Sequence, residues 1–165
     1  MAQFSVGSFA GNANGNNRGQ SFAPNVAGPN GSGSSGGAST VYLQSVSIGY
    51  PTSDTSSRAA TALLYSSLPS LDDLNNGTGS SLLSTSTGNS DDAGNIFGAN
   101  TYARTFTFDN IPLDPTVTYF ILFGVNQYVR FKTGNPYGGG SLYSTSLVAT
   151  ANDAQFNVVM SDTAP

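Results

Sequence analysis

The chain has 165 residues, a net charge of −4 and no Cys, His or Trp, and all nine of its acidic residues are Asp. Nucleophilic, acid–base and metal chemistry relies mostly on His, Cys, Glu and Lys. Lys132 is the only member of that set here, so we predict a non-enzymatic protein that needs no cofactor. Five basic residues and a pI near 4.2 argue against nucleic acid as a partner. No window approaches the roughly 18 apolar residues of a membrane span, so we expect no membrane partner.

Residues 1–40 differ in composition from the rest of the chain. Phe4, Val6 and Phe9 precede a stretch dominated by Asn, Gly, Ser and Pro, which cannot bury enough apolar area to fold alone. A flexible tail is the simpler interpretation. We favour an extended N-terminal arm over residues 1–40, whose three apolar residues dock on a neighbouring subunit, followed by a β-sandwich domain over residues 41–165.

The rest of the chain contains short runs that are typical of strands. Aromatic residues alternate with Thr over residues 102–108, and residues 116–123 form a continuous apolar run like that of a buried central strand. We expect Asp109 and Asn110 to end the first run, and residues 128–132 to form a hairpin partner of the second. The other predicted strands cover residues 41–50, 61–66, 81–87, 142–143 and 154–160.

The spacing of these runs indicates the fold class. About eight short strands with turn signals roughly every ten residues favour a jelly-roll-like antiparallel β-sandwich. An up-and-down barrel is the alternative. Residues 72–77 are predicted to be a turn, and helical periodicity is confined to a possible turn near residues 68–74. We therefore predict an all-β protein.

Five side chains flank or lie in the Gly-rich loop at residues 134–140. These are Tyr128, Arg130, Asn135, Tyr137 and Tyr143. Sandwich folds bind sugars by stacking exposed aromatic rings on them while amide and charged groups hold the hydroxyls. We predict that these five residues form a glycan-binding site; the alternative is that the tyrosines simply end strands with their hydroxyls in solvent.

Two pairs of carboxylates are adjacent in the sequence. Asp72 with Asp73, and Asp91 with Asp92, lie beside Asn and Gly, residue types that supply oxygen ligands to Ca²⁺. Their spacing matches no EF-hand loop, so solvated turn carboxylates are the main interpretation and a structural Ca²⁺ site is the alternative. A pair of glycosidase carboxylates would require a defined separation and one raised pKa, which nothing in the sequence indicates.

The order of the runs resembles a known family. The matching pieces cover residues 19–22, 43–48, 63–65, 111–120 and 153–158, and together they resemble the choice-of-anchor domains of bacterial exterior proteins, which are akin to carbohydrate-binding modules. The resemblance covers about 140 residues and implies a β-sandwich. It supports the fold more than it supports any one function.

Members of that family are usually exported and anchored at the C-terminus, whereas this sequence starts without a signal peptide and ends at Pro165, close to its last predicted strand. A Cys-free, Gly- and Asn-rich sandwich of this kind resembles the capsid decoration (cement) proteins and fibre heads of tailed bacteriophages. We expect a virion-exterior structural protein, made in the host cytoplasm, that stabilises a capsid. The expected partners are other copies of the chain, as a trimer, and a major capsid protein. The alternative function is binding of a cell-surface polysaccharide.

Overall fold

The computed structural model describes residues 3–7, 11–28, 37–98 and 101–165. Within these residues, eleven strands form two antiparallel sheets, together with one short helix. The predicted all-β sandwich is confirmed, and its jelly-roll subtype stays a prediction. The strands are β1 (Gln3–Gly7), β2 (Ala13–Phe22), β3 (Val41–Tyr50), β4 (Leu63–Tyr65), β5 (Leu82–Thr85), β6 (Gly88–Ala93), β7 (Tyr102–Leu113), β8 (Tyr119–Thr133), β9 (Leu142–Ser144), β10 (Asn152–Ala154) and β11 (Phe156–Ser161).

The main core lies between the two sheets. The first sheet has the order β1-β11-β3-β7-β6, and the second has the order β5-β4-β8-β2-β9, with β10 paired to β8. Val46 and Ile48 of β3 are buried in this core, as their alternation with small polar residues predicts. The rings of Phe106 in β7 and Phe123 in β8 have centroids 5.4 Å apart. Such ring pairs add stability beyond that of the buried area.

β8 is one long strand rather than the predicted hairpin. Leu122 lies opposite Gly19 of β2, and Gln127 lies opposite Asn17. Between these two pairs β8 advances by five residues and β2 by two, so β8 contains extra residues that have no partner in β2. The extra residues form a wide irregularity in the pairing, which bends the sheet without reversing the chain. The prediction that residues 128–132 return as a separate strand is therefore wrong.

β7 continues through Asp109 and Asn110, where the sequence predicted a break. Asn110 adopts a φ of 49°, a left-handed conformation that Asn tolerates better than most residues. The register with β3 shifts between Leu43 and Ser45 on the facing strand. The polar pair therefore marks a bulge within the strand and not its end.

The described part of residues 1–40 belongs to the sandwich. β1 pairs with β11 along its whole length, and Phe4 and Val6 are buried in the main core. β2 pairs with β8 on one side and with β9 on the other. The prediction that Phe4 and Val6 reach a neighbouring subunit is corrected, because their packing partners lie in the same chain. Phe9 lies outside the described residues.

A short helix, α1 (Leu71–Asn76), forms where a turn was predicted. The Ser70 hydroxyl caps it by accepting a hydrogen bond from the backbone nitrogen of Asp73 at 3.1 Å. Gly77, with a φ of 64°, ends it. Leu74 is buried in a second, smaller apolar cluster, which attaches the helix to the sheet. None of the described residues forms a helix with the length and apolar character needed to span a membrane.

Candidate binding groove

An open groove lies beside the Gly-rich loop that joins β8 to β9. Its volume is about 560 Å³, within the range of about 300–1,000 Å³ that is common for ligand sites. The end of β2, the residues before β8 and the loop before β9 together form its lining. The lining residues are Ser21, Ala23, Asn25, Val26, Thr116, Thr118, Asn135, Gly138, Gly139, Gly140, Ser141 and Tyr143. All of them are uncharged, and most carry a hydroxyl, an amide or an exposed backbone.

Tyr137 holds the loop from below and is not a surface residue. Its side chain is 0% exposed, and its ring packs edge-on against Phe156 with centroids 5.2 Å apart. Its hydroxyl donates to the carbonyl oxygen of Ala23 and accepts from the backbone nitrogen of Ala23, both at 3.0 Å. Burial raises the pKa of Tyr137 to about 12. The prediction that Tyr137 stacks on a sugar is corrected, because its ring is in the core.

The glycines of the loop allow its close approach to the body. A Cβ atom on Gly139 would overlap the Tyr137 hydroxyl, and one on Gly140 would overlap the carbonyl oxygen of Ser21. By contrast, a Cβ on Gly138 would meet nothing within 4 Å. Two glycines are therefore required for packing, and the third leaves the groove open.

Asp153 in β10 lies behind the same loop and is fully buried. Its carboxylate accepts hydrogen bonds from the backbone nitrogen of Tyr137 and from Nε2 of Gln20, both at 2.9 Å. With its side-chain amide oriented so that the nitrogen faces hydrogen-bond acceptors, Asn135 donates to the same carboxylate at 3.0 Å. Burial raises the pKa of Asp153, although these hydrogen bonds oppose the rise. The buried acid thus connects the loop to β2 and β10.

Tyr143 forms one wall of the groove from β9. Its ring is half-buried and packs edge-on against Phe120, with centroids 5.6 Å apart. This contact fixes the ring while part of its surface stays exposed. Tyr143 and Asn135 are the two predicted glycan residues that line the groove, so an aromatic surface and an amide lie within one site.

Tyr128 and Arg130, the other two residues that the sequence predicts for this site, lie elsewhere. Both are on β8, and neither lines the groove. Tyr128 is 48% exposed. The Arg130 guanidinium donates to Oδ1 of Asn14 at 3.3 Å and to the carbonyl oxygen of Gly11 at 2.9 Å. The five predicted residues therefore divide into two in the groove, one beneath it and two on a separate surface.

Asp91 is occupied by two arginines. Its Oδ1 accepts from Nη1 of Arg58 at 3.0 Å and from Nε of Arg104 at 2.9 Å, and its Oδ2 accepts from Nη2 of Arg104 at 3.0 Å. The hydrogen bond to Arg104 is the main cause that lowers the pKa of Asp91. Asp92 instead accepts backbone hydrogen bonds from Asn95 and Ile96. This pair lies in β6 and not in a loop, and the Asp91 carboxylate forms ion pairs with both arginines.

The other carboxylate pair, Asp72 and Asp73, lies in the first turn of α1. Acidic side chains are favourable there because they face the positive end of the helix dipole. Across the described ranges, no group of three or more Asp side chains could hold a metal ion together.

Comparison with known proteins gave no match: no family model, no curated protein and no solved structure is similar enough to this chain to be reported as a relative. The functional interpretation therefore depends on the chemistry of the described surface.

Proposed function

We propose that the protein is a non-enzymatic carbohydrate-binding module that binds a neutral stretch of polysaccharide in the groove. The observation that carries this proposal is a groove of about 560 Å³ whose lining is uncharged and which holds the exposed part of the Tyr143 ring. A sugar presents hydroxyl groups and an apolar ring face. The hydroxyl, amide and backbone groups of the groove can form hydrogen bonds with the sugar hydroxyls, and the Tyr143 ring can stack on the apolar face.

The rigidity of the loop supports the proposal. The hydroxyl of Tyr137 and the carboxylate of Asp153 both bond to backbone atoms that border the groove. A site whose backbone is held in place before the ligand arrives loses less entropy on binding. Weak hydrogen bonds to a sugar then contribute more to the measured affinity.

Two substitutions test the groove against neutral polysaccharides by calorimetry. Tyr143→Ala removes the ring, and Gly138→Gln fills open space beside it. Because a stacked ring contributes about 0.5–1.5 kcal/mol, we expect Tyr143→Ala to weaken binding by about twofold to thirteenfold. We expect Gly138→Gln to weaken it further, by obstruction.

The matched controls are Tyr42→Ala, a half-buried tyrosine on the other sheet, and Gly88→Gln, an exposed glycine with open space around it. Both should bind as the unaltered protein does. If the unaltered protein bound none of a broad panel of neutral glycans, or if the controls lost as much affinity as the groove variants, the proposal would be rejected.

We propose as a second candidate that the protein decorates a phage capsid as a homo-oligomer, with a trimer as the expected state, on the virion exterior. Three exposed leucines favour a protein contact: Leu68, Leu71 and Leu83 are 39–46% exposed. All three lie in the excursion that contains α1 and β5, at one edge of the second sheet. Low surface charge also reduces the desolvation cost of such a contact. This role is compatible with a glycan groove exposed on the same particle.

Capsid binding has its own test. Purified protein is added to undecorated particles, and binding is measured by sedimentation for the unaltered chain and for a variant with Leu68, Leu71 and Leu83 replaced by Ser. The matched control replaces the exposed Val148 by Ser. We expect the triple variant alone to stay in the supernatant. Equal binding by all three proteins would contradict the assigned contact.

A further inference from the structure

A second surface is formed where β2 and β8 pair beyond the bulge. Asn14 lies opposite Arg130, and Asn16 lies opposite Tyr128. Both asparagines and Tyr128 are exposed, whereas the residues next to them on each strand are more buried. Lys132 follows Arg130 on the same side of β8 because side chains on one face of a strand recur every second residue. We call these five residues the basic face; none of them lines the groove.

The basic face carries positive charge in an acidic protein. The chain has five basic residues. Two of them, Arg58 and Arg104, share Asp91 in the ion pairs found between described residues. A third, Arg18, is buried and bonds to neutral oxygens of Asn75, Asn126 and Phe123. The remaining two, Arg130 and Lys132, are therefore the source of positive charge on this face. Lys132 lies opposite Asp153 of β10, but that carboxylate is fully buried and already accepts hydrogen bonds from Tyr137 and Gln20.

The guanidinium of Arg130 is anchored but keeps donors for a ligand. Its two described hydrogen bonds, to Asn14 and Gly11, use two of the five N–H donors that an Arg side chain offers. A planar guanidinium held in place pairs with a carboxylate more favourably than a freely rotating one. Tyr128, Arg130 and Lys132 are spaced by about 7 Å along one line.

We propose that the basic face binds an acidic polysaccharide whose sugars carry carboxylate groups. Tyr128 stacks on a sugar ring, Arg130 and Lys132 pair with carboxylates, and the two asparagine amides bond to hydroxyls. Two cations are too few to neutralise a run of nucleic-acid phosphates. The proposal shares a ligand class with the proposed function but no residue with the groove.

The test measures binding of alginate, a polyuronate, by calorimetry at low and physiological salt. Because charge-assisted pairs are lost, we expect Arg130→Gln with Lys132→Gln to weaken binding at least about tenfold. Tyr128→Ala should weaken alginate binding but leave any binding of polyglutamate, which has carboxylates and no sugar rings, unchanged. Replacing Arg130 also removes its hydrogen bonds to Asn14 and Gly11, which could disturb the surface. Lys132→Gln alone leaves those bonds in place, and it should still weaken alginate binding.

The matched control is Thr85→Glu with Thr107→Glu, which changes the net charge by the same amount at exposed positions on β5 and β7. We expect its affinity for alginate to stay within about threefold of that of the unaltered protein, because salt screens charges that are far from the binding site. No alginate binding by the unaltered protein, an equal loss in the charge control, or equal binding of polyglutamate and alginate would overturn the proposal. If alginate binds through this face while neutral glycans do not bind at all, the basic-face proposal is supported and only the groove proposal is rejected.

Discussion

The carboxylate of Asp153 accepts a hydrogen bond from the backbone nitrogen of Tyr137 at 2.9 Å. A buried acid in the second sheet thereby holds the loop that borders the groove. The hydroxyl of Tyr137 continues the connection to Ala23 on the opposite wall. The shape of the groove is therefore determined by the core and not by the loop alone.

Asp153→Asn should destabilise the protein. The partners of the Asp153 carboxylate among the described residues are N–H donors, from Tyr137, Gln20 and Asn135, and an amide would place its own NH₂ group against one of them. Because a buried donor is then left unsatisfied, we expect a loss of about 1–3 kcal/mol in the free energy of unfolding, measured with urea. Asp109→Asn, an exposed carboxylate on β7, is the control and should change little.

The free energy of unfolding should be nearly constant between about pH 6 and 9, because the chain has no His. Above about pH 10 it should fall. Burial raises the pKa of Tyr137 to about 12 in the folded state. Its contribution to stability is therefore complete below the pKa of an unfolded Tyr, about 10, and is lost as the pH rises through the folded-state pKa. Denaturant midpoints across this range provide the measurement, and a large change between pH 6 and 9 would contradict it.

The acid limb of the profile should depend on Asp91. The Arg104 hydrogen bond is the largest cause that lowers the pKa of Asp91. This group therefore contributes stability above its unfolded pKa of about 3.9, and that stability is lost as the pH falls through the lower folded value. The raised pKa of Asp153 acts in the opposite direction, because its protonated form is favoured in the folded state.

Asp91→Asn isolates that contribution. At pH 7 it should destabilise the fold by about 1–3 kcal/mol: two nearly buried guanidiniums lose their counter-ion, but solvent screens the partly exposed Asp91 and reduces the loss below that of a fully buried pair. Below pH 4 the difference between the variant and the unaltered protein should shrink. A difference that stayed constant from pH 7 to pH 3 would refute the assignment.

Val6→Ala tests the place of β1 in the core. Val6 is 0% exposed, so removal of two methyl groups should cost roughly 1–3 kcal/mol in the free energy of unfolding. Val148, which is 60% exposed, is the control, and Val148→Ala should be nearly neutral. If Val6→Ala left the stability unchanged but reduced oligomer formation in light scattering, β1 would act as an assembly arm and not as a core strand.

The strands with regular alternation could be predicted from the sequence, and those with polar faces could not. The sequence of β3 alternates Val46, Ile48 and Tyr50 with small polar residues, and the structure confirms it. In contrast, β6 is formed by Gly, Asn, Ser, Asp and Ala and is almost entirely exposed. Its pairing with β7 depends on main-chain hydrogen bonds, which leave no hydrophobic pattern in the sequence.

The groove was only partly predictable for a related reason. Tyr143 and Asn135 are close to the Gly-rich loop in sequence, whereas Asn25 and Thr116 reach the groove only because β2 pairs with β8. Tyr137 resembled an exposed loop residue because Pro136 and Gly138 flank it. Its burial depends on the backbone of Ala23, a partner far away in the chain, and no local pattern indicates that contact.

The most direct test of the central claim is to titrate labelled protein with neutral oligosaccharides and to follow the backbone amide signals by NMR. We expect the shifts to be concentrated at Asn25, Thr116 and the loop at residues 138–141, with little change at Asn89 on the distant edge strand β6. Gly138→Gln should abolish these shifts while leaving the rest of the spectrum intact. Shifts centred on other surfaces, or no shifts with any neutral sugar at millimolar concentration, would contradict a carbohydrate site in the groove.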